Sequence, residues 1–225
     1  MKGLIGGFYH VSEWIMKFSA VNLLWLLFNL PIVLIVMNMI FVDRPRNLFI
    51  LVALLGIMAP FILFPATAAM FASVRDWVLK TDTSSIFRSF WNYYKENYKR
   101  SLLGGLILTG AWIVWGVDYY YFNKLNVMLM FTFLLLGILL YVYTLNFFSL
   151  MAHYDLKLRS LLKKSFLFTF GSPILSGAVF LGSGLIIYVS INGLLFLIPF
   201  FTGSLIAFIS FSAFYRVYLN LTNRS

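Results

Sequence analysis

Cysteine is absent from the 225 residues, which excludes a disulfide framework, a thiol nucleophile and every metal site built on thiolates. Charge is scarce as well: 11% of residues are Asp, Glu, Lys or Arg, against about 25% in a soluble domain. The sequence carries no phosphate-cradling Gly-rich loop, no helix with paired His for zinc, no pair of intramembrane Asp and no Ser in a plausible dyad. Neither enzymatic activity nor a cofactor or metal is therefore expected, and any coupling to ATP has to come from a partner.

What is present in excess is apolar surface. Hydrophobic residues make up 62% of the chain and the mean hydropathy is +0.92, more than one water-soluble core of this length can hide. Six stretches approach the 20 or so apolar residues that cross a bilayer: 18–42, 48–71, 102–121, 127–151, 166–189 and 193–214. None alternates apolar and polar residues as a barrel strand must, so the expected fold is all-α, a polytopic bundle of about six transmembrane helices forming a single domain over 1–225. Gly171, Ser172 and Pro173 interrupt the fifth stretch, and a short turn at 190–192 separates it from the sixth, which leaves a re-entrant hairpin open for that pair.

The net charge of +10 would suit nucleic acid in a soluble protein. In a membrane protein an excess of Lys and Arg records topology and contact with anionic lipid instead, and no nucleic-acid partner is expected. Fourteen of the 17 Lys and Arg fall in the two termini and in the connections 72–101 and 152–165, against Arg44, Arg46 and Lys124 on the opposite side. By the positive-inside rule both termini are expected in the cytoplasm. In 1–17, Leu4, Phe8, Val11 and Ile15 form one apolar stripe that continues to Phe18, as expected of an interfacial helix; a simple extension of the first span is the other reading. In the connection 72–101, Thr83 or Ser84 can cap a helix on which Ile86, Phe87, Phe90, Trp91, Tyr94 and Tyr98 share an arc and Arg88, Lys95 and Lys99 lie opposite. With Arg75 and Arg159, these residues are the candidate contacts for anionic lipid or for a partner protein. The connection 152–165 repeats the pattern weakly, with Leu158, Leu161 and Leu162 among Lys157, Arg159, Lys163 and Lys164.

Inside the predicted spans no ionisable residue sits near the middle, whereas proton relays and ion-coupled carriers commonly need one. Asn22 and Asn29, seven residues apart, share one helix face and are candidates for intramembrane polar packing. Pro60 and Pro65 each remove an amide from the second helix and allow kinks. The glycines of the third and fifth spans permit close packing, and Tyr119, Tyr120 and Tyr121 form an aromatic belt. His153 and Asp155 lack a third ligand or a nucleophile and make a weak site.

Gly6-Gly7-Phe8-Tyr9, Ser12-Glu13-Trp14-Ile15-Met16 and Val21-Asn22-Leu23-Leu24-Trp25 open a pattern that continues in Phe64-Pro65-Ala66-Thr67-Ala68-Ala69-Met70-Phe71, Val74-Arg75 and Trp77. With Thr81-Asp82, Ile86-Phe87, Phe90-Trp91 and Tyr94-Lys95, the sequence resembles the YesL family over roughly its first half, the most family-like positions being Trp25, Pro65, Thr67 and Arg75. YesL-like proteins are polytopic membrane proteins of unknown function, largely from Gram-positive bacteria. Their genes commonly lie beside those for carbohydrate ABC importers, two-component regulators and glycan-degrading enzymes. The resemblance thus implies an association with oligosaccharide import without implying a reaction. The expectation is a non-enzymatic accessory subunit packed beside the permease of such an importer, with permease subunits, the ATPase and an oligosaccharide as its expected partners. A stand-alone channel or carrier for a neutral solute, using the Asn22 and Asn29 face and the two proline kinks, is the alternative, and a membrane sensor of sugar uptake is a minor one.

Overall fold

The computed structural model describes residues 2–41, 45–81, 85–122, 124 and 126–222, with the side chains of 2–6, 8, 45 and 46 set aside. The side chains of the expected stripe residues Leu4 and Phe8, the outer turn at Asp43 and Arg44, the candidate caps Thr83 and Ser84, and Arg224 fall outside what is described. Among the described residues the secondary structure is helical throughout: α1 (Lys2–Phe28), α2 (Leu30–Ile40), α3 (Pro45–Met58), α4 (Leu63–Leu79), α5 (Ile86–Phe122), α6 (Val127–His153), α7 (Leu158–Gly171), α8 (Pro173–Asn192), a π-helical turn (Ile198–Thr202) and α9 (Gly203–Thr222). Five of these helices are long and apolar enough to cross a membrane, and six spans result if the bent pair α3 and α4 is counted as one. The protein is a multi-pass membrane protein.

Several boundaries differ from the sequence expectation, each for a local reason. The first helix does not break at Lys17. It runs unbroken to Phe28, held in its early turns by a Lys17 Nζ to Glu13 Oε1 ion pair of 2.8 Å, and the apolar segment long enough to cross is Tyr9–Phe28. The break falls instead at Asn29, inside the stretch 18–42, because Pro31 has no amide to donate and its ring crowds the preceding turn. In the second stretch, α3 and α4 meet at 52° around Pro60, while Pro65 sits in the first turn of α4, where a missing amide removes no helical bond. Pro65 therefore does not kink the helix. The expected helix over 86–101 is not a separate element: it is the start of α5, which continues for 37 residues, about 55 Å at 1.5 Å per residue. That exceeds the roughly 30 Å hydrocarbon thickness of a bilayer.

The break at Gly171, Ser172 and Pro173 is present as expected, and it separates α7 from α8. The sixth span starts later than expected, at Ile198, because the chain turns at 193–197 and Pro199 lies within the π-helical turn. At 20 and 25 residues, Pro173–Asn192 and Ile198–Thr222 are each long enough to cross on their own, so length gives no reason for a re-entrant hairpin.

Helix α4 is the centre of the bundle. Twelve of its seventeen residues are buried, and it packs on α1, α5, α6 and α9. Small side chains make this possible: Ala66, Ala68, Ala69 and Ala72 are at most 2% exposed and let neighbouring backbones close in, while Phe71 and Phe148 stack at 5.4 Å. Glycines on α5 and α6 supply the matching hollows. A Cβ at Gly105 would stand 2.8 Å from Phe64 Cγ, and one at Gly137 would stand 2.4 Å from the Trp115 ring. Away from this core the helices expose Leu, Ile, Val and Phe broadly, as a lipid-facing surface should.

Gly105→Ala is expected to destabilise the bundle by about 1–3 kcal/mol through overpacking against Phe64. Gly110→Ala, with nothing within 4 Å of its added carbon, is expected to be neutral or slightly stabilising. Thermal unfolding in detergent compares the two, and equal midpoints would contradict the packing described.

Candidate functional site

A polar cavity lies where the C-terminal half of α4, the first turns of α5 and the end of α6 converge. Arg75, Tyr93, Glu96, Asn97 and Arg100 line it from two helices, and 151–155 close it from the third. These residues come from segments up to 80 positions apart, brought together because α5 runs antiparallel to both α4 and α6. Phe64 meets Gly105 and Asp76 meets Tyr93 along one pair, and Phe147 meets Gly104 and Asp155 meets Arg100 along the other.

Arg75 is the hub. Its Nε and Nη2 donate to Asp76 Oδ1 at 3.0 and 2.7 Å, and its Nη1 donates to the Ala152 carbonyl at 2.7 Å, covering one of the free carbonyls at the end of α6. The guanidinium also lies 5.3 Å from the centre of the Tyr93 ring. Tyr93 donates its phenolic proton to Asp76 Oδ2, so both carboxylate oxygens are occupied. Tyr93 precedes the apolar part of α5; burial, followed by the bond to Asp76, pushes its phenol up to about 12 and keeps it a donor at neutral pH. A second pair closes the far side: Arg100 binds Asp155 through Nη1 and Asn97 Oδ1 through Nη2 at 2.9 Å.

The cavity measures about 140 Å³, room for a few water molecules at about 30 Å³ each and well below the roughly 300 Å³ at which ligand pockets begin. Its charges are largely consumed in pairs, and among the described residues no cluster of three His, Asp or Glu could hold a metal. His153 does not face Asp155. Its ring lies among Tyr154, Phe211, Phe214, Tyr215 and Tyr218, with Nδ1 buried and unbonded, while Asp155 serves Arg100. What the arrangement does physically is tie three helix ends together through charge-assisted bonds.

Among the sequence candidates, Arg75 alone enters this cavity. Phe90 is fully buried and Tyr94 half-buried; both pack on Phe28 at the end of α1, at 5.3 and 4.8 Å. Trp91 also touches Phe28 at 5.6 Å but stays 42% exposed, with Lys95 Nζ 5.2 Å from its ring. Arg88, Lys95, Lys99 and Arg159 are exposed. The aromatic arc is thus used mainly inside this chain, and its outer edge, Phe87 and Trp91, borders the cationic face.

Asn22 and Asn29 are both buried. Asn22 donates from Nδ2 to the carbonyls of Ile198 and Pro199 at 3.1 and 2.7 Å and accepts from the Ser204 amide at 3.0 Å, while Asn29 Nδ2 turns back to the Trp25 carbonyl at 2.8 Å. The face they share is filled by protein. Trp25 donates from Nε1 to Thr67 Oγ1 at 3.0 Å, so two of the family-like positions join α1 to α4 directly, and Pro65 lies buried two residues before Thr67. The sequence reading missed Asp76, Tyr93, Asn97 and Arg100. The available signal was the Arg75-Asp76 dipeptide on an otherwise apolar helix.

The family described as "Protein of unknown function, DUF624" matches residues 18–119, which include the α4 and α5 sides of the cavity. Three Bacillus subtilis (strain 168) proteins are similar. "Uncharacterized protein YteU" is 28% identical over 97% of this chain and 88% of its own length, and "Uncharacterized protein YesL" is 27% identical over 92% and 90%. "Uncharacterized protein YesV" is 30% identical over 61% of this chain and 67% of its own length. The chain belongs to the YesL-like family. No solved structure matches it significantly. The names of these YesL-like relatives assign no activity, so the geometry has to carry any functional reading.

Asp76→Ala is expected to cost about 3 kcal/mol, since it leaves Arg75 and Tyr93 partly buried without their partner. Tyr93→Phe is expected to cost about 1–2 kcal/mol. In a double-mutant cycle by thermal unfolding the two changes should be non-additive. Strict additivity would mean that the bond contributes nothing.

Proposed function

We propose that this YesL-like protein is a non-enzymatic accessory subunit of a carbohydrate ABC importer, set in the bacterial plasma membrane with both termini in the cytoplasm. In this reading it packs beside the permease, and the first turns of α5 meet the permease or its ATPase. The distribution of Lys and Arg supports the orientation. The association with oligosaccharide uptake is what resemblance to this family implies.

The observation that carries the reading is the outward face of α5. Its first turns, part of the same 37-residue helix as the apolar segment, are clamped to the body by Phe90 and Tyr94 on Phe28 and by Tyr93 on Asp76. Outward they present Arg88, Lys95 and the exposed aromatic rings of Phe87 and Trp91. Aromatic and Arg side chains on a rigid support are the residue types that dominate protein interfaces. A rod that passes without a break from such a surface into the apolar core suits mechanical coupling better than solute passage. A carrier would need a lined path, yet Asn22 and Asn29 are committed to internal bonds and the polar cavity is too small for a sugar chain.

Arg88→Glu combined with Lys95→Glu tests this. With insertion and thermal midpoint unchanged, the expected result is a several-fold fall in sugar uptake and loss of permease and ATPase subunits from the material that co-purifies in mild detergent. Unchanged uptake, or a wild-type protein that purifies alone, would overturn the reading. Solute flux in liposomes containing this protein only would favour the carrier.

A further inference from the structure

The exposed faces of α5 and α7 change character abruptly. On α5 the exposed positions up to Lys99 are mainly polar, Arg88, Asn92, Lys95, Glu96 and Lys99 beside the rings of Phe87 and Trp91, and from Leu103 through Leu106, Ile107, Ile113, Val114 and Val117 the exposed side chains are apolar. On α7 the exposed positions Arg159, Ser160 and Lys163 give way within one turn to Phe166, Leu167 and Phe170. Each helix thus marks a boundary between headgroup and hydrocarbon, at Lys99 and Leu103 in one and at Lys163 and Phe166 in the other.

The two boundaries are neighbours. Helices α5 and α7 pack against each other, and α7 begins three residues after Asp155, which is paired with Arg100, the residue following Lys99. The charge balance there is positive: Asp155 is taken by Arg100, and the other exposed charges at these helix starts are one carboxylate, Glu96, and the cations Lys99, Lys157, Arg159 and Lys163. Directly beyond the cations, Phe166 and Phe170 pack together at 4.4 Å and remain about half exposed. A surface with cations at one edge and an uncovered aromatic patch one turn away matches a ligand that is anionic at one end and apolar at the other.

We propose that α5 and α7 together form a seat for an acidic phospholipid. Lys99, Arg159 and Lys163 hold its phosphate and headgroup, and its acyl chains lie along Leu103, Leu106, Phe166 and Phe170. Arg88 and Lys95, further along α5, are not part of this seat. The proposal is independent of the importer reading, and its test involves neither sugar nor permease.

The experiment is native mass spectrometry of the full chain, released from detergent with equal amounts of phosphatidylglycerol and phosphatidylcholine. Wild type is expected to retain phosphatidylglycerol preferentially. Lys99→Gln, Arg159→Gln and Lys163→Gln combined should reduce that preference about tenfold, since each removes a cation that attracts an anionic headgroup. The triple variant is checked for an unchanged thermal midpoint. Phe166→Ala with Phe170→Ala should weaken both lipids alike, which is what acyl contacts predict. Excess inorganic phosphate should not displace the lipid; displacement would show that a free anion site, and not a lipid seat, is present. Equal retention of the two lipids by wild type, or loss of the preference in Arg88→Gln with Lys95→Gln but not in the triple variant, would overturn the proposal.

Discussion

Hydrocarbon offers no hydrogen bonds, so every backbone amide and carbonyl freed by a break in a membrane helix has to be satisfied from within the protein. The bundle depends on how its breaks meet that demand. Pro173 cannot donate to the carbonyl of Thr169, and the Ser176 hydroxyl donates to it at 2.7 Å instead. At the π-helical turn, Asn22 reaches from another helix to the carbonyls of Ile198 and Pro199 and takes the Ser204 amide, while Ser204 Oγ returns to the Phe18 carbonyl at 3.0 Å. One asparagine thereby fixes the start of the last helix against the first. A Cβ on Gly203 would come within 2.9 Å of Asn22 Oδ1, which explains why a residue without a side chain stands there.

The same logic of compensation shapes the polar cluster between α4, α5 and α6. Arg75 neutralises Asp76 and caps the end of α6 through Ala152, and Tyr93 closes the remaining carboxylate oxygen. Removing either charge alone leaves the other stranded in a partly dry setting, so the pair acts as a fastening whose value lies in specifying which helix ends meet. It also clamps the base of α5, and the exposed cationic and aromatic face of that helix is held rigidly because of it. The proposed coupling surface and the proposed lipid seat both depend on this fastening, though they use different residues.

Aromatic packing supplies the remaining rigidity. Trp14, Phe18, Trp77 and Phe208 form a set of edge-on contacts at 5.4 to 6.2 Å that joins α1, α4 and α9. Phe28 with Phe90, Trp91 and Tyr94 does the same for α1 and α5. In lipid, where apolar burial gives little drive for association, such shape-specific contacts and the small residues of α4 decide which helices become neighbours.

The membrane character, the helical class, the location of most apolar segments and the family resemblance were legible in the linear sequence, because hydropathy over about 20 residues is a local property that lipid reads directly. The break at 171–173 and the patterned start of α5 were legible for the same reason, since Gly, Pro and helical periodicity act within a turn or two. The continuity of α1 across Lys17, the move of its end to Asn29, and the fusion of 86–101 with the third span were not, because charge near an apolar run does not say whether the backbone breaks. The polar cavity was invisible for a different reason. Arg75, Tyr93, Arg100 and Asp155 each look like ordinary polar residues of a connection, and only the antiparallel packing of α5 on α4 and α6 makes them partners. Sequence alone determined that this chain lives in lipid as a helical bundle; tertiary structure decided which polar groups meet, because hydrogen bonds act over about 3 Å and the residues that make them are separated by tens of positions in the chain.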